Sequence, residues 1–199
     1  LVACLKSQTA SPMVYVDSGS SDGSVEAARA AGAAVVRLST PPNFSAARAR
    51  NAGLRALLET DPGLEFVQMT DGDCELREGW IETAVAVLAA DPGLALVFGR
   101  RRERHPERSV YNALCDDEWN LPVGAAAGCG GDALFRVEAL SSVGGYDDRM
   151  IAGEDSELSM RLRMKGWLML RIDAEMTWHD VNIRHFSECW TRAGRAWHA

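Results

Sequence analysis

No two cysteines in the 199-residue chain stand in a Cys-x-x-Cys spacing, and the five present (Cys4, Cys74, Cys115, Cys129, Cys189) are odd in number. That pattern excludes a zinc knuckle and a disulfide scaffold, and it predicts reduced thiols in a cytoplasmic protein. No run reaches the ~18 apolar residues of a membrane span, and no stretch reads as a signal peptide. Internal repeats and low-complexity tracts are missing too. Positive charge is scarce: 21 Lys and Arg against 28 Asp and Glu leave a net charge of −7. Nucleic acid is thereby set aside as the main partner, because neutralising phosphates takes clustered cations. The basic cluster Arg100-Arg101-Arg102, with Arg104 and Arg108, is local, and reads as a solvated face or as a surface for an anionic acceptor.

What the chain does have is length and alternation. With 47% apolar and 25% charged residues it suits one α/β domain with a substantial core. Residues Leu1, Val2 and Leu5 read as the last turns of a helix. Strands are predicted at Met13–Val16, Val35–Leu38, around Phe66, Val67 and Met69, and at Leu94–Phe98. Helices are predicted over Val25–Ala31, from Ser45 to Thr60 after a Pro41-Pro42 break, and over Trp80–Ala90. Residues 99–127 look irregular, a long loop over the sheet edge. Beyond them lie a strand at Ala133–Arg136, helices over Val137–Val143 and Glu154–Lys165, and short strands at Leu168–Ile172 and Met176–Trp178. From Ile183 onward, Phe186, Trp190 and Trp197 fall on one helical face, with Arg184, Arg192 and Arg195 outside it. Strands alternating with helices imply a mostly parallel sheet with helices on both faces.

The chemistry gathers at element ends. The run from Phe66 empties into Asp71-Gly72-Asp73, two carboxylates costly on a packed strand but well placed at a strand's carboxyl end, where open sheets bind ligands. Such a pair suits a hard divalent cation shared with substrate phosphates, and it also suits a simple turn. The loop Asp17-Ser18-Gly19-Ser20-Ser21-Asp22-Gly23-Ser24 joins a strand to a helix. Asp17 can accept hydrogen bonds from a base or ribose, and the helix N-terminus favours anions. The loop is neither a P-loop nor a Gly-x-Gly-x-x-Gly fingerprint, and a capping role for Ser21 and Asp22 explains it equally well. Arg48 and Arg50-Asn51 sit early in a helix, where the dipole disfavours cations, so a bound nucleotide accounts for them as well as a surface position does. Glu154-Asp155 opens a helix, as capping acids do, and one of them can serve as a general base. His179, at a strand end, is either structural or the imidazole partner of a carboxylate metal site.

The ordered set of Val16–Ser24, Arg50-Asn51-Ala52-Gly53, Thr70-Asp71-Gly72-Asp73, Gly130-Gly131-Asp132, Gly144-Gly145-Tyr146-Asp147, Gly153-Glu154-Asp155 and Trp178-His179 resembles family 2 glycosyltransferases across nearly the whole chain. The resemblance implies a GT-A type, Rossmann-like fold in one domain, with residues 1–98 as nucleotide-binding half and 99–199 as acceptor-binding half. It implies inverting transfer of a sugar from a nucleotide-sugar, a uridine diphosphate sugar by default, to a glycan or lipid-linked acceptor in polysaccharide or glycolipid assembly. Asp17 and Ser18 would then meet the nucleotide, with Arg50 and Asn51 beside it and Asp71 at the ribose or donor. Asp73 and His179 would hold Mn²⁺ or Mg²⁺. Asp155, with Glu154 beside it, would be the base, and Gly130, Gly131 and Asp132 would line the acceptor or sugar pocket. Such enzymes open with a further strand, expected here in the natural protein outside this sequence, and without it a wide apolar gap should open in the sheet. A nucleotidyltransferase and a non-catalytic nucleotide-sugar-binding module are the alternatives. The aromatic stripe of 183–197 fits a second copy of the chain, the domain core, or the inner face of a membrane carrying a lipid-linked acceptor.

Overall fold

The computed structural model describes residues 1–39 and 44–197, with side chains as far as residue 194, so the Pro41-Pro42 break and the Arg195 and Trp197 side chains lie outside the described residues. The chain opens with helix α1 (Val2–Ser7), then strand β1 (Val14–Asp17), helix α2 (Ser24–Ala30) and strand β2 (Ala34–Arg37). β1 and β2 pair in parallel, in register from Val14 with Ala34 to Asp17 with Arg37. Helix α3 (Ala46–Thr60) follows, and Ser45 caps it by accepting a hydrogen bond from the Arg48 N–H.

A six-stranded sheet carries the rest. Its strands are β3 (Phe66–Met69), β4 (Cys74–Leu76), β5 (Leu94–Glu103), β6 (Gly124–Ala125), β7 (Ala133–Arg136) and β8 (Leu168–His179). Their spatial order is β3-β7-β5-β8-β4, with β6 pairing β8. Helices α4 (Trp80–Ala90), α5 (Val110–Glu118), α6 (Val137–Ser142), α7 (Glu154–Met164) and α8 (Phe186–Trp197) connect or flank them.

The expectation of a mostly parallel sheet needs correcting. β5 and β8 are parallel, but β7 is antiparallel to β3 and β5, and β4 and β6 are antiparallel to β8. A parallel neighbour needs a crossover of a dozen or more residues. β7 instead enters directly from the loop carrying Gly130-Gly131-Asp132, and β4 follows β3 after the Thr70–Asp73 turn, so both run back against the sheet. The class stays α/β. Two further expectations change. Residues 99–127 are not a plain loop, because β5 continues to Glu103 and a 3-10 turn (Pro106–Arg108) leads into α5. The two short strands predicted near residue 170 are one, β8, whose pattern is broken by the solvent-facing Asp173.

The main core is built on Trp80, Leu88, Leu96, Phe135, Leu140 and Leu158, all nearly sealed from solvent. Leu5, Ala28 and Ala33 form a separate small cluster under the β1–β2 pair. β1 is bonded along one side by β2, and β3 along one side by β7. Both strands line a cleft of about 590 Å³, with Val14, Val16, Val67 and Met69 on its walls and Leu54 and Leu57 of α3 beside them.

Candidate active site

Four elements deliver the charged residues to one edge of the sheet. α3 supplies Arg50, the turn after β3 supplies Asp71 and Asp73, the loop before β7 supplies Gly131 and Asp132, and the start of α7 supplies Glu154 and Asp155. Gly153, at φ +78°, turns the chain into α7. Arg50 is the hub. Its Nη2 donates to Asp71 Oδ1 at 3.0 Å, and its Nη1 to Glu154 Oε1 at 2.7 Å and Asp155 Oδ1 at 3.1 Å. Burial opposes its charge, but Asp155, Tyr146, Asp71 and Glu154 together hold the guanidinium well above its ordinary range. Because Asp71 and Asp155 share this one cation, the base candidate and Asp71 lie on the same face.

Asp155 is fixed from a second side by the Gly131 N–H, which donates to its Oδ2 at 2.7 Å. Its pKa stands above the usual carboxylate range. Burial is the main cause, with Glu154 and Asp71 adding to it and Arg50 and the Gly131 N–H opposing. Gly131 has φ +44°, and a Cβ there would stand 2.7 Å from Asp71 Oδ2 and 2.8 Å from Arg101 Nη2. A side chain there would strain the left-handed backbone and push both groups out of place. Asp132 is fully buried. Its carboxylate accepts from the Asp71 N–H at 2.9 Å and from Thr177 Oγ1 at 3.0 Å, and it pairs with Arg101 Nη2 at 2.9 Å. With its oxygens thus engaged, Asp132 positions Asp71 rather than facing a ligand.

Next to this cluster, His179 Nε2 lies 3.1 Å from Asp73 Oδ2. The hydrogen bond from His179, against a smaller effect of burial, holds the Asp73 carboxyl below its usual range. Asp73, His179 and Cys74 present ligand atoms within 4.8 Å of one another. Burial pushes the Cys74 thiol far up, which disfavours the thiolate form that a metal takes. That leaves one carboxylate whose side chain is 63% exposed and one imidazole. Such a donor pair fits a divalent cation that takes its other ligands from a diphosphate and water, and carboxylate with imidazole suits Mn²⁺ well.

Other residues sort differently. Asp17 is buried at the end of β1, and its carboxylate accepts from the Gly19 and Ser20 N–H groups at 3.2 and 3.1 Å, which shapes the loop through Ser18. Asn51 is not in the carboxylate cluster. Its side-chain amide donates to the Tyr146 carbonyl and Asp148, both at 2.7 Å, and its Oδ1 accepts from the Tyr146 N–H at 2.9 Å. Its work is to tie α3 to the Gly144-Gly145-Tyr146 turn. Gly130 has open space where a Cβ would sit.

Three residues that the sequence analysis does not place at the site belong here, Arg101 entering there only as part of a solvated or acceptor-facing basic cluster. Arg101 reaches Asp132 and stands 3.9 Å from Asp71 Oδ2. Trp119, at the end of α5, sets its ring edge-on to His179 with centroids 5.1 Å apart and lies under Arg101. Thr177 ties β8 to Asp132. The available signal was strand periodicity: within Arg100-Arg101-Arg102 the middle residue must face opposite to its neighbours.

An α/β sheet with acidic turns at its strand ends, a buried arginine spanning them and a carboxylate–imidazole pair defines a GT-A type domain. The family model described as "Glycosyl transferase family 2" matches residues 2–144, and the chain belongs to that family. This membership sets aside the nucleotidyltransferase alternative. Among similar proteins, the pre-mycofactocin glycosyltransferase of Mycobacterium tuberculosis is 31% identical over 139 residues, 61% of this chain and 27% of that protein. The glucomannan 4-beta-mannosyltransferase 7 of Arabidopsis thaliana is 29% identical over 143 residues, 66% of this chain and 24% of that protein. The match thus spans about a quarter of each relative. In structure, the mannosyltransferase of Pyrobaculum calidifontis in complex with GDP-Man and Mn²⁺ superposes with a TM-score of 0.62 at 25% identity, over 92% of this chain and 52% of that one.

Proposed function

We propose that the protein catalyses an inverting, metal-dependent transfer of a sugar from a nucleoside diphosphate sugar to an acceptor hydroxyl, in polysaccharide or glycolipid assembly. The observation that carries this reading is the Arg50 bridge, which sets the donor-side carboxylate Asp71 and the base candidate Asp155 on one face at hydrogen-bond distance from a common cation. Residues 1–98 would bind the nucleotide, through the Asp17–Ser18 loop, Arg50 and Asp71. Residues 99–199 would bind the acceptor, with Gly130 and Gly131 at the sugar pocket and Asp132 holding it in shape. Asp73 and His179 would hold Mn²⁺ or Mg²⁺, and the bound ion would neutralise the charge developing on the departing diphosphate.

Asp155 accepts the acceptor's hydroxyl proton as that oxygen bonds to the anomeric carbon and the bond to the diphosphate breaks on the opposite side. Its raised pKa makes it a stronger base than a solvated carboxylate. Arg50 and the Gly131 N–H fix its two oxygens, so the proton acceptor is oriented before substrate arrives. Glu154 shares Arg50 and balances its charge.

Among donors, uridine diphosphate sugars remain the first choice, and the P. calidifontis protein bound to GDP-Man makes guanosine diphosphate sugars the next. Calorimetric titration of uridine, guanosine and thymidine diphosphates, with and without Mn²⁺, tests the donor site. One nucleotide should bind in a metal-dependent way and lose that dependence in Asp73→Ala. Binding that ignores both metal and Asp73 would remove Asp73 from the proposal. Release of nucleotide from a bound donor separates an enzyme from a binding module. No described helix is long and apolar enough to cross a membrane. A peripheral contact through 183–197 draws support from Phe186 and Trp190, whose tilted rings lie 5.9 Å apart and which are exposed at 64% and 69%. Ile183 has no part in it, being buried beside α5.

A further inference from the structure

Consecutive arginines on β5 serve opposite faces of the sheet. Arg101 turns to Asp132 and Asp71, whereas Arg100 and Arg102 both turn to Asp116 of α5. On that second face they meet Arg171 of β8 around an open polar hollow of about 430 Å³, completed by Asn120, Asp173 and Glu175. None of these residues belongs to the transfer site.

The charge in this cavity is poorly matched. Arg171 is 5% exposed, yet its guanidinium makes no hydrogen bond among the described residues. Its nearest carboxylate is Asp173 Oδ1 at 3.8 Å, on a side chain that is 93% exposed. Arg100 is 7% exposed. It donates through Nη2 to the Asp116 carbonyl and carboxylate at 2.7 and 3.1 Å, while its Nη1 is buried with no partner. Arg102 shares Asp116 at 3.2 Å and reaches Glu175 at 3.4 Å, at the rim. A buried guanidinium with idle donors is costly unless something pairs with it. Consistent with that, Arg100 is held below its ordinary pKa by burial, with Arg102 and Arg171 adding repulsion against the pull of Asp116 and Glu175. Planar forks of N–H donors match the oxygens of carboxylate and phosphate groups.

We propose that Arg100, Arg102 and Arg171 form an oxyanion-binding pocket on the sheet face opposite the transfer site, taking a phosphate or carboxylate group of a bound ligand. Arg171 and the free edge of Arg100 supply the buried donors. Arg102 and Asn120 close the rim, where Asp173 and Glu175 are exposed enough to move aside. The cavity exceeds one phosphate ion, so the anionic group would arrive on a larger body such as a sugar acid, a sugar phosphate or a lipid headgroup.

The test is calorimetric titration of the full chain with inorganic phosphate, with glucuronate and with neutral glucose, in buffer freed of metal by a chelating resin, at fixed ionic strength. Phosphate or glucuronate should bind saturably and glucose should not, and whichever anion binds more tightly identifies the preferred group. Arg171→Gln should weaken that binding at least about tenfold, as loss of charge-assisted hydrogen bonds requires. Asp73→Ala should leave it unchanged, which keeps this result separate from the fate of the donor site. In anion-free buffer Arg171→Gln should also melt no lower than wild type, because it removes a buried charge paired only loosely, with the exposed Asp173. Should that variant fold poorly, Arg102→Gln is the second measurement and should weaken the same binding. Absence of saturable anion binding to the wild type, or equal binding after either arginine substitution, would overturn the proposal.

Discussion

At the scale of single residues, the site rests on positions where no substitute has room or the right charge. Gly131→Ala combines a left-handed backbone with a Cβ set against Asp71 and Arg101. We expect a loss of kcat/KM of about 10²-fold or more, as for an ångström-scale misplacement of a catalytic group, with melting temperature less affected. Asp155→Asn removes the base, and transfer should fall by about 10²–10⁴-fold. Its effect on stability has the opposite sign. The folded-state pKa of Asp155 is raised, so this residue favours folding below the ordinary carboxylate range, and that contribution is lost as pH rises through the folded pKa. At pH 7 to 8 the Asn variant should therefore unfold no earlier than wild type in urea. Glu154→Gln supplies the matching kinetic test. Glu154 raises the Asp155 pKa, so the acid limb of the kcat/KM profile should move to lower pH in the variant. An unmoved or alkaline-shifted limb would mean that Asp155 is not the titrating base. These carboxylates were legible in sequence because acids at strand and helix ends are conspicuous. Asp132 and Asn51 were conspicuous too, but their atoms are consumed by local hydrogen bonds that no spacing reveals.

At the scale of elements, α5 shows why sequence periodicity fell short over residues 99–127. The strand β5 ends in charged residues, which read as solvent-facing, yet Glu103 and Asn112 are fully buried. They satisfy one another instead of water. Glu103 accepts from Asn112 Nδ2 at 3.2 Å and from the backbone of His105 and Val181, and Asn112 Oδ1 accepts from the Ile183 N–H at 3.1 Å. Long-range polar pairing of this kind leaves no trace in a hydropathy pattern. The network fastens α5, and with it Trp119 against His179, to the sheet. Asn112→Ala would strand a buried carboxylate and several backbone groups, and should cost about 2–4 kcal/mol in urea unfolding. The helices whose apolar stripes face the main core, α3 and α4, were by contrast placed within a residue of their bounds.

At the scale of the whole molecule, two units of unequal strength share the site. The sheet from β3 to β4 stands on the large core, with Trp80 and Phe135 at 1% exposure. The β1–β2 pair has α2 and the small Leu5, Ala28 and Ala33 cluster beneath it, and an apolar cleft along the open edge of β1. Alternation in the sequence disclosed both groups of strands but not this inequality, which depends on how much apolar surface each strand finds across the gap. Local opening follows buried contact, so amides of Val14–Asp17 and Ala34–Arg37 should exchange with solvent faster than those of Leu96–Phe98. Asp17 and its loop, the proposed nucleotide contacts, lie on the weaker unit. Binding there would add contacts to the unit with the smaller core. Adding the preferred nucleoside diphosphate with Mn²⁺ should therefore slow exchange across β1 and β2 while leaving β5 nearly unchanged, because a ligand stabilises the states it contacts. Asp73→Ala should abolish that protection. Equal protection of β5 would show instead that the nucleotide acts on global stability, and the division of labour between the two units would fail.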